Sequence, residues 1–188
     1  MSVFSRKTRV TAFWQEPPFR SNDLGQLYQY ALSCAGREDG VGMMRSGWAI
    51  YRQAGLHSHQ AAEFLRDGYR SWSQSPDCQP SLAIEFLTEL FERLNRKSPA
   101  LPPNIYAVPR ELIDPIACHY GMRCWAGNEL LEAADRAARP DVRERYEQTV
   151  FEAIVRSHAD FVPPRSKVWA RAYARDHGEP EPWPGPGV

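Results

Sequence analysis

The chain has 188 residues, 43% hydrophobic and 24% charged, enough to bury most of its apolar surface in one core or two small ones. Its 23 basic and 23 acidic side chains cancel, which excludes a basic nucleic-acid clamp spread over the whole surface. The lack of any apolar run of 18 residues excludes a membrane-spanning helix.

The opening residues 1–23 carry no helical period, and the Pro17–Pro18 pair forbids a helix there. Phe13, Trp14 and Phe19 predict an extended arm lying on the core. Asp23 is a suitable N-cap for a helix over "LGQLYQYALSCAG", whose Leu27, Tyr30, Ala31 and Cys34 share a face, with Gly36 as its stop. "REDGVG" reads as a turn. "MMRSGWAIYRQAG" sets Met44, Trp48 and Tyr51 at helical spacing and ends at Gly55, and Ser58 can cap "HQAAEFLRDGYRSW", with Ala61, Phe64, Leu65 and Trp72 inward. After the break "SQSPDCQP" comes the strongest helix, with Pro80 in its first turn. Leu82, Phe86, Leu87, Leu90, Phe91 and Leu94 form a wide stripe there, and Glu and Arg residues on the other face stand at i, i+4.

Four prolines in 98–109 interrupt the pattern; Ile105, Tyr106 and Val108 suit a strap packed across one domain. Beyond it, a short helix with a Pro115 kink, a second over "NELLEAADRAA", and a long one with Val142, Tyr146, Val150 and Ile154 in a row are expected. A last helix, "RSKVWARAYARDHG", shows Val168, Trp169, Ala172 and Tyr173, and 179–188 forms a Pro/Gly-rich extended tail. Alternating β-branched runs are scarce. The expected fold is therefore all-α: one domain over 24–178, a bundle of about seven or eight helices between arm and tail.

The basic residues are 20 Arg and 3 Lys, a bias that points to a GC-rich bacterial genome. The basic N-terminus is followed by no apolar segment, so no secretory signal is expected and the location reads as cytoplasmic. Cys34, Cys78, Cys118 and Cys124 lack paired spacing and are expected to be reduced thiols, three of them packed as small apolar groups.

Chemistry is sparse. There is no G-x-S-x-G elbow, P-loop or G-x-G-x-x-G, so no cofactor is expected and no small-molecule substrate can be identified. Arg52 followed after four residues by His57, with polar Gln53 next to the Arg, resembles the signature of HEPN ribonucleases, small helical bundles in which such a pair cleaves RNA without metal. The resemblance implies Arg52 and His57 as catalytic residues. Gly55 between them instead favours a helix end, which makes the segment punctuation. The stretch 41–56, "VGMMRSGWAIYRQAGL", resembles the phosphate-binding box of ParB/sulfiredoxin-like proteins, which implies a phosphate-binding enzyme. His57, His59, Cys118 and Cys124 (with His119) are the side chains able to converge on a tetrahedral zinc, although their spacings match no common zinc motif.

The reading these residues favour is a non-catalytic helical interaction module, a subunit or inhibitor that docks on a protein or a protein–nucleic-acid complex. Arg and aromatic residues together anchor interfaces and stack on unpaired bases. They concentrate in the last helix and tail, at Arg165, Lys167, Trp169, Arg171, Tyr173, Arg175 and Trp183. No acidic residue interrupts the basic row before Asp176.

Overall fold

A computed structural model describes residues 23–53, 59–97 and 105–184. Among them the chain is all-α, with no strand and seven α-helices: α1 Leu24–Gly36, α2 Gly40–Gln53, α3 His59–Ser73, α4 Pro80–Arg96, α5 Arg110–Arg136, α6 Pro140–Val155 and α7 Pro164–His177, with 3-10 turns at Ile105–Ala107 and Ala159–Phe161. None of these helices is long and apolar enough to cross a membrane. The expected arm lies outside the described residues. The chain divides into two compact units, 1–86 and 87–188, the division falling within α4 between Phe86 and Leu87.

In the first unit, Asp23 caps α1 as its sequence position suggests, its Oδ1 accepting from the Gly25 and Gln26 amides at 2.8 and 3.3 Å. Leu27, Ala31 and Cys34 are buried, and Tyr30 is half-buried. The expected turn "REDGVG" is shorter than that: Asp39 caps the Gly42 amide at 2.8 Å, and α2 begins at Gly40. α2 and α3 pack at backbone contact. A Cβ on Gly40 would lie 2.5 Å from the Gly68 carbonyl oxygen, one on Gly68 2.7 Å from the Gly40 carbonyl oxygen, and one on Gly47 2.9 Å from the Ala61 carbonyl oxygen. Gly40 and Gly47 on one helix thus meet Gly68 and Ala61 on the other, seven residues apart in each and in opposite chain directions.

In the second unit, the end of α4 buries Leu87, Leu90, Phe91 and Leu94; of the rest of the expected stripe, in the first unit, Phe86 is buried and Leu82 half-buried. On its outer side Arg93 pairs with Glu89 at 2.7 Å and Arg96 with Glu92 at 3.3 Å. Of the strap expected over 98–109, residues 98–104 lie outside the described residues, and Tyr106, expected to pack, is 87% exposed. The larger correction is α5, a continuous helix of 27 residues where a kink and two helices were expected. Pro115 sits in its second turn, where the lost amide deprives a single carbonyl near the helix start, and burial of Pro115, Ile116 and the residues that follow carries the helix through. Gly127 lets α6 approach, since a Cβ there would lie 2.9 Å from Val150.

α5 ends in a left-handed residue that is not glycine. Ala138 has φ 51°, with Arg139 N–H donating to the Ala134 carbonyl at 2.9 Å in the closing turn. The Cβ costs about 1–2 kcal/mol in that conformation, against about 0.5–1 kcal/mol for the extra chain entropy of glycine. Because Ala138 is exposed, its methyl packs little. Ala138→Gly should therefore raise stability by about 0.5–1 kcal/mol in urea unfolding; a loss of stability would show that the methyl group contributes packing there.

Candidate functional site

The residues singled out at the C-terminal end occupy α7 and the segment behind it. The buried side of α7 is Ser166, Ala170, Tyr173 and Ala174. This rotates the helix from the expected face, because Val168 turns outward and is 70% exposed while Trp169 is half-buried. Tyr173 does not line the surface. Its ring stacks between Trp169 (5.4 Å) and His177 (3.9 Å) and meets Phe151 at 4.5 Å, and its hydroxyl donates to Gln148 Oε1 at 2.5 Å. Burial, then the nearby carboxylates of Glu147, Glu179 and Glu152, raise its pKa, so it stays a neutral donor. His177 Nδ1 lies 2.9 Å from the Tyr173 carbonyl. These contacts fix the inner face and leave the outer one in solvent.

Arg165, Val168, Arg171 and Arg175 fall within about a third of the circumference of α7 on the outer side. Arg165 is fastened to α5 through Glu129 at 3.3 Å and through Glu132. The partners of the other two are weaker. Arg171 meets Glu181 at 3.7 Å and Arg175 meets its neighbour Asp176 at 3.5 Å, with the Arg side chains 53% and 78% exposed. Such pairs are worth about 0–1 kcal/mol, so both guanidinium groups can be redirected to another carboxylate at little cost. Lys167 is half-buried on the edge of the row.

Trp183 folds back on its own unit. It is half-buried, and its Nε1 donates to the Ser157 carbonyl at 3.3 Å.

Sequence reasoning missed a set of buried polar residues on α5. His119 is 0% exposed and Arg123, one turn on, is 6% exposed. Arg123 Nε donates to Asn95 Oδ1 at 2.9 Å, and the guanidinium sits over the Tyr120 ring at 4.9 Å, which ties α4 to α5. Burial lowers the Arg123 pKa, and burial followed by the Arg123 charge lowers that of His119 to about 4. Asn128 Nδ2 donates to Ser166 Oγ at 2.5 Å and fastens the first turn of α7 to α5. The available sequence signal was the i, i+4 pair His119 and Arg123 inside a helix that is apolar nearly all round.

Arg52 is exposed in the last turn of α2, and His57 lies outside the described residues, so the pair implied by the ribonuclease resemblance is not described. Gly40, Gly42 and Gly47, in and beside the stretch resembling a phosphate-binding box, are occupied by helix packing and by the contact of Gly42 with Cys34 and Asp39. Of the metal set, His59 is exposed at the start of α3, whereas Cys118 and Cys124 are buried in α5 and, six residues apart, point to different sides of it. Burial pushes the Cys124 thiol up to about 11, with the Ser157 hydroxyl 3.8 Å away, so it remains protonated at neutral pH. Among the described residues no group of three or more His, Cys, Asp or Glu side chains could hold a metal ion. Cys34, Cys118 and Cys124 are buried free thiols and Cys78 is half-exposed, the division expected from the sequence.

Compared with family models, curated proteins and solved structures, the chain finds no match.

Proposed function

We propose that the protein is a helical interaction module that docks through the outer face of α7 on an acidic surface of a partner protein, as a subunit or inhibitor of a bacterial cytoplasmic assembly. The observation that carries this reading is the exposed Val168 framed by Arg171 and Arg175 on a helix whose inner face is locked by the Tyr173 stack. A rigid apolar point flanked by guanidinium groups binds carboxylates with little loss of side-chain freedom. A protein surface is favoured over a phosphate backbone because Asp176, Glu179 and Glu181 follow directly and would repel a continuous polyanion. The excess of Arg over Lys supports the bacterial source.

The test is comparative capture from nuclease-treated lysate with wild-type bait and with Arg171→Glu/Arg175→Glu. The wild type should retain a partner in low salt and release it at about 1 M salt, where the screening length falls to about 3 Å. The double variant should lose that partner and melt within about 2 °C of the wild type, because exposed pairs add little stability. Unchanged capture would place docking elsewhere, and a melt many degrees lower would make the two arginines structural.

A further inference from the structure

The segment behind α7 gives the partner a chemistry. Gly178, at φ 69°, ends the helix, and Glu179 N–H closes the turn on the Ala174 carbonyl at 2.8 Å. The chain "EPEPW" then returns along its own unit. Glu181 reaches Arg171 at 3.7 Å, Pro182 is buried, and the Trp183 indole N–H takes the Ser157 carbonyl just past the end of α6. Ser157 follows the α6 C-cap, Arg156, so its carbonyl lies outside the helix's own hydrogen-bond ladder. Prolines bring no backbone donor to be matched, and among the described residues the segment is held by an ion pair, the buried Pro182, the half-buried Trp183 ring and its indole hydrogen bond.

Two features show the hold to be weak. Trp183 adopts φ 54°, a left-handed conformation that costs a residue with a Cβ, and the Arg171–Glu181 pair is exposed on both sides. The segment is kept in place by its attachment, which gives it an effective concentration in the millimolar range. Its acidic group also occupies Arg171, one of the two arginines assigned to docking.

We infer that residues 179–184 act as an internal placeholder, and that the partner engages this face with an extended, acidic, proline-containing segment bearing an aromatic side chain, displacing the tail from Arg171 and from the Ser157 carbonyl. This rests on reading α7 as the docking face and specifies what docks there. Partner binding is then a competition between two segments of like chemistry, and loosening the tail strengthens it.

The experiment uses the full-length chain and a fluorescein-labelled peptide of sequence EPEPWPGPGV. The receiver is Glu181→Ala/Trp183→Ala, whose own tail is disabled. Fluorescence anisotropy should show the receiver binding the peptide at least tenfold more tightly than the wild type. Binding should weaken at least tenfold when the peptide tryptophan becomes alanine or when Arg171→Glu is added to the receiver. A receiver that keeps its helical circular dichroism and cooperative melt yet ignores millimolar peptide overturns the inference, as does equal binding by wild type and receiver. Should the double variant fail to fold, Trp183→Ala alone serves as receiver under the same criteria. Absent peptide binding beside intact charge-dependent capture would retire the placeholder and leave the docking face standing. Peptide binding insensitive to Arg171→Glu would overturn the inference and count against that face.

Discussion

Lowering the pH from 7 to 4.5 should destabilise the wild-type protein far more than a His119→Gln variant. His119 is fully buried in the middle of α5, its pKa held at about 4 by burial and by the Arg123 guanidinium one turn on, against a hydrogen bond with the Leu94 backbone that works the other way. An unfolded chain takes up a proton at this residue near pH 6.5. Between the two values the unfolded state binds a proton that the folded state refuses, so stability falls as the pH drops through the window and the loss is complete just below the folded value. The shift corresponds to about 3 kcal/mol, a large share of the stability of a domain of this size. Carboxylates titrate in part of the same range, so the quantity to measure is the difference between the pH profiles of the two proteins in urea unfolding. Parallel profiles would show that His119 is protonated in the folded protein. A direct NMR titration of its ring, expected to stay neutral down to about pH 4.5, checks the same point without a substitution.

The second large effect is a reversal of sign between two glycines. Gly36, the last residue of α1, has nothing within 4 Å of where a Cβ would stand, so Gly36→Ala should stabilise by about 0.5–1 kcal/mol through helix propensity alone. The same propensity acts at Gly68 inside α3. There the new methyl carbon would lie 2.7 Å from the Gly40 carbonyl oxygen and 2.9 Å from the Met43 Cβ. Backbone cannot rotate away as a side chain can, so the helices must separate along a contact that also includes Gly47 and Ala61. Overpacking of this kind costs about 1–3 kcal/mol and outweighs the propensity gain. Gly68→Ala should therefore lower the urea midpoint where Gly36→Ala raises it. Equal gains in both would mean that α2 and α3 are not in backbone contact.

Most of the secondary structure was legible in the sequence because caps and apolar periodicity are local. Asp23 supplies an oxygen to two free amides, Pro80 opens α4 where no amide bond is lost, and the Phe86–Leu94 stripe repeats with the helical turn, so each could be placed without knowing its neighbours. The basic row of α7 and the flagged Trp183 were legible for the same reason. What the sequence left open depends on contacts between distant residues. Pro115 and Gly121 signal a break in any isolated helix, yet α5 continues because buried neighbours on α4 and α6 repay the local cost. His119, Arg123 and Asn128 carry polar groups that composition assigns to the surface, and they become interior because the Leu94 backbone, Asn95 and Ser166 supply partners 25 to 38 residues away and Tyr120 one a turn along. The orientation of α7 was decided in the same way. Val168 and Trp169 are neighbours of similar apolarity, and only the packing of Phe151 and the Gln148 side chain against Tyr173 turns one inward and the other to solvent. Periodicity thus determined that these segments are helices. Tertiary packing decided which side of each is available to a partner, because a helix with apolar residues on adjoining rows has no preferred face until another helix takes one.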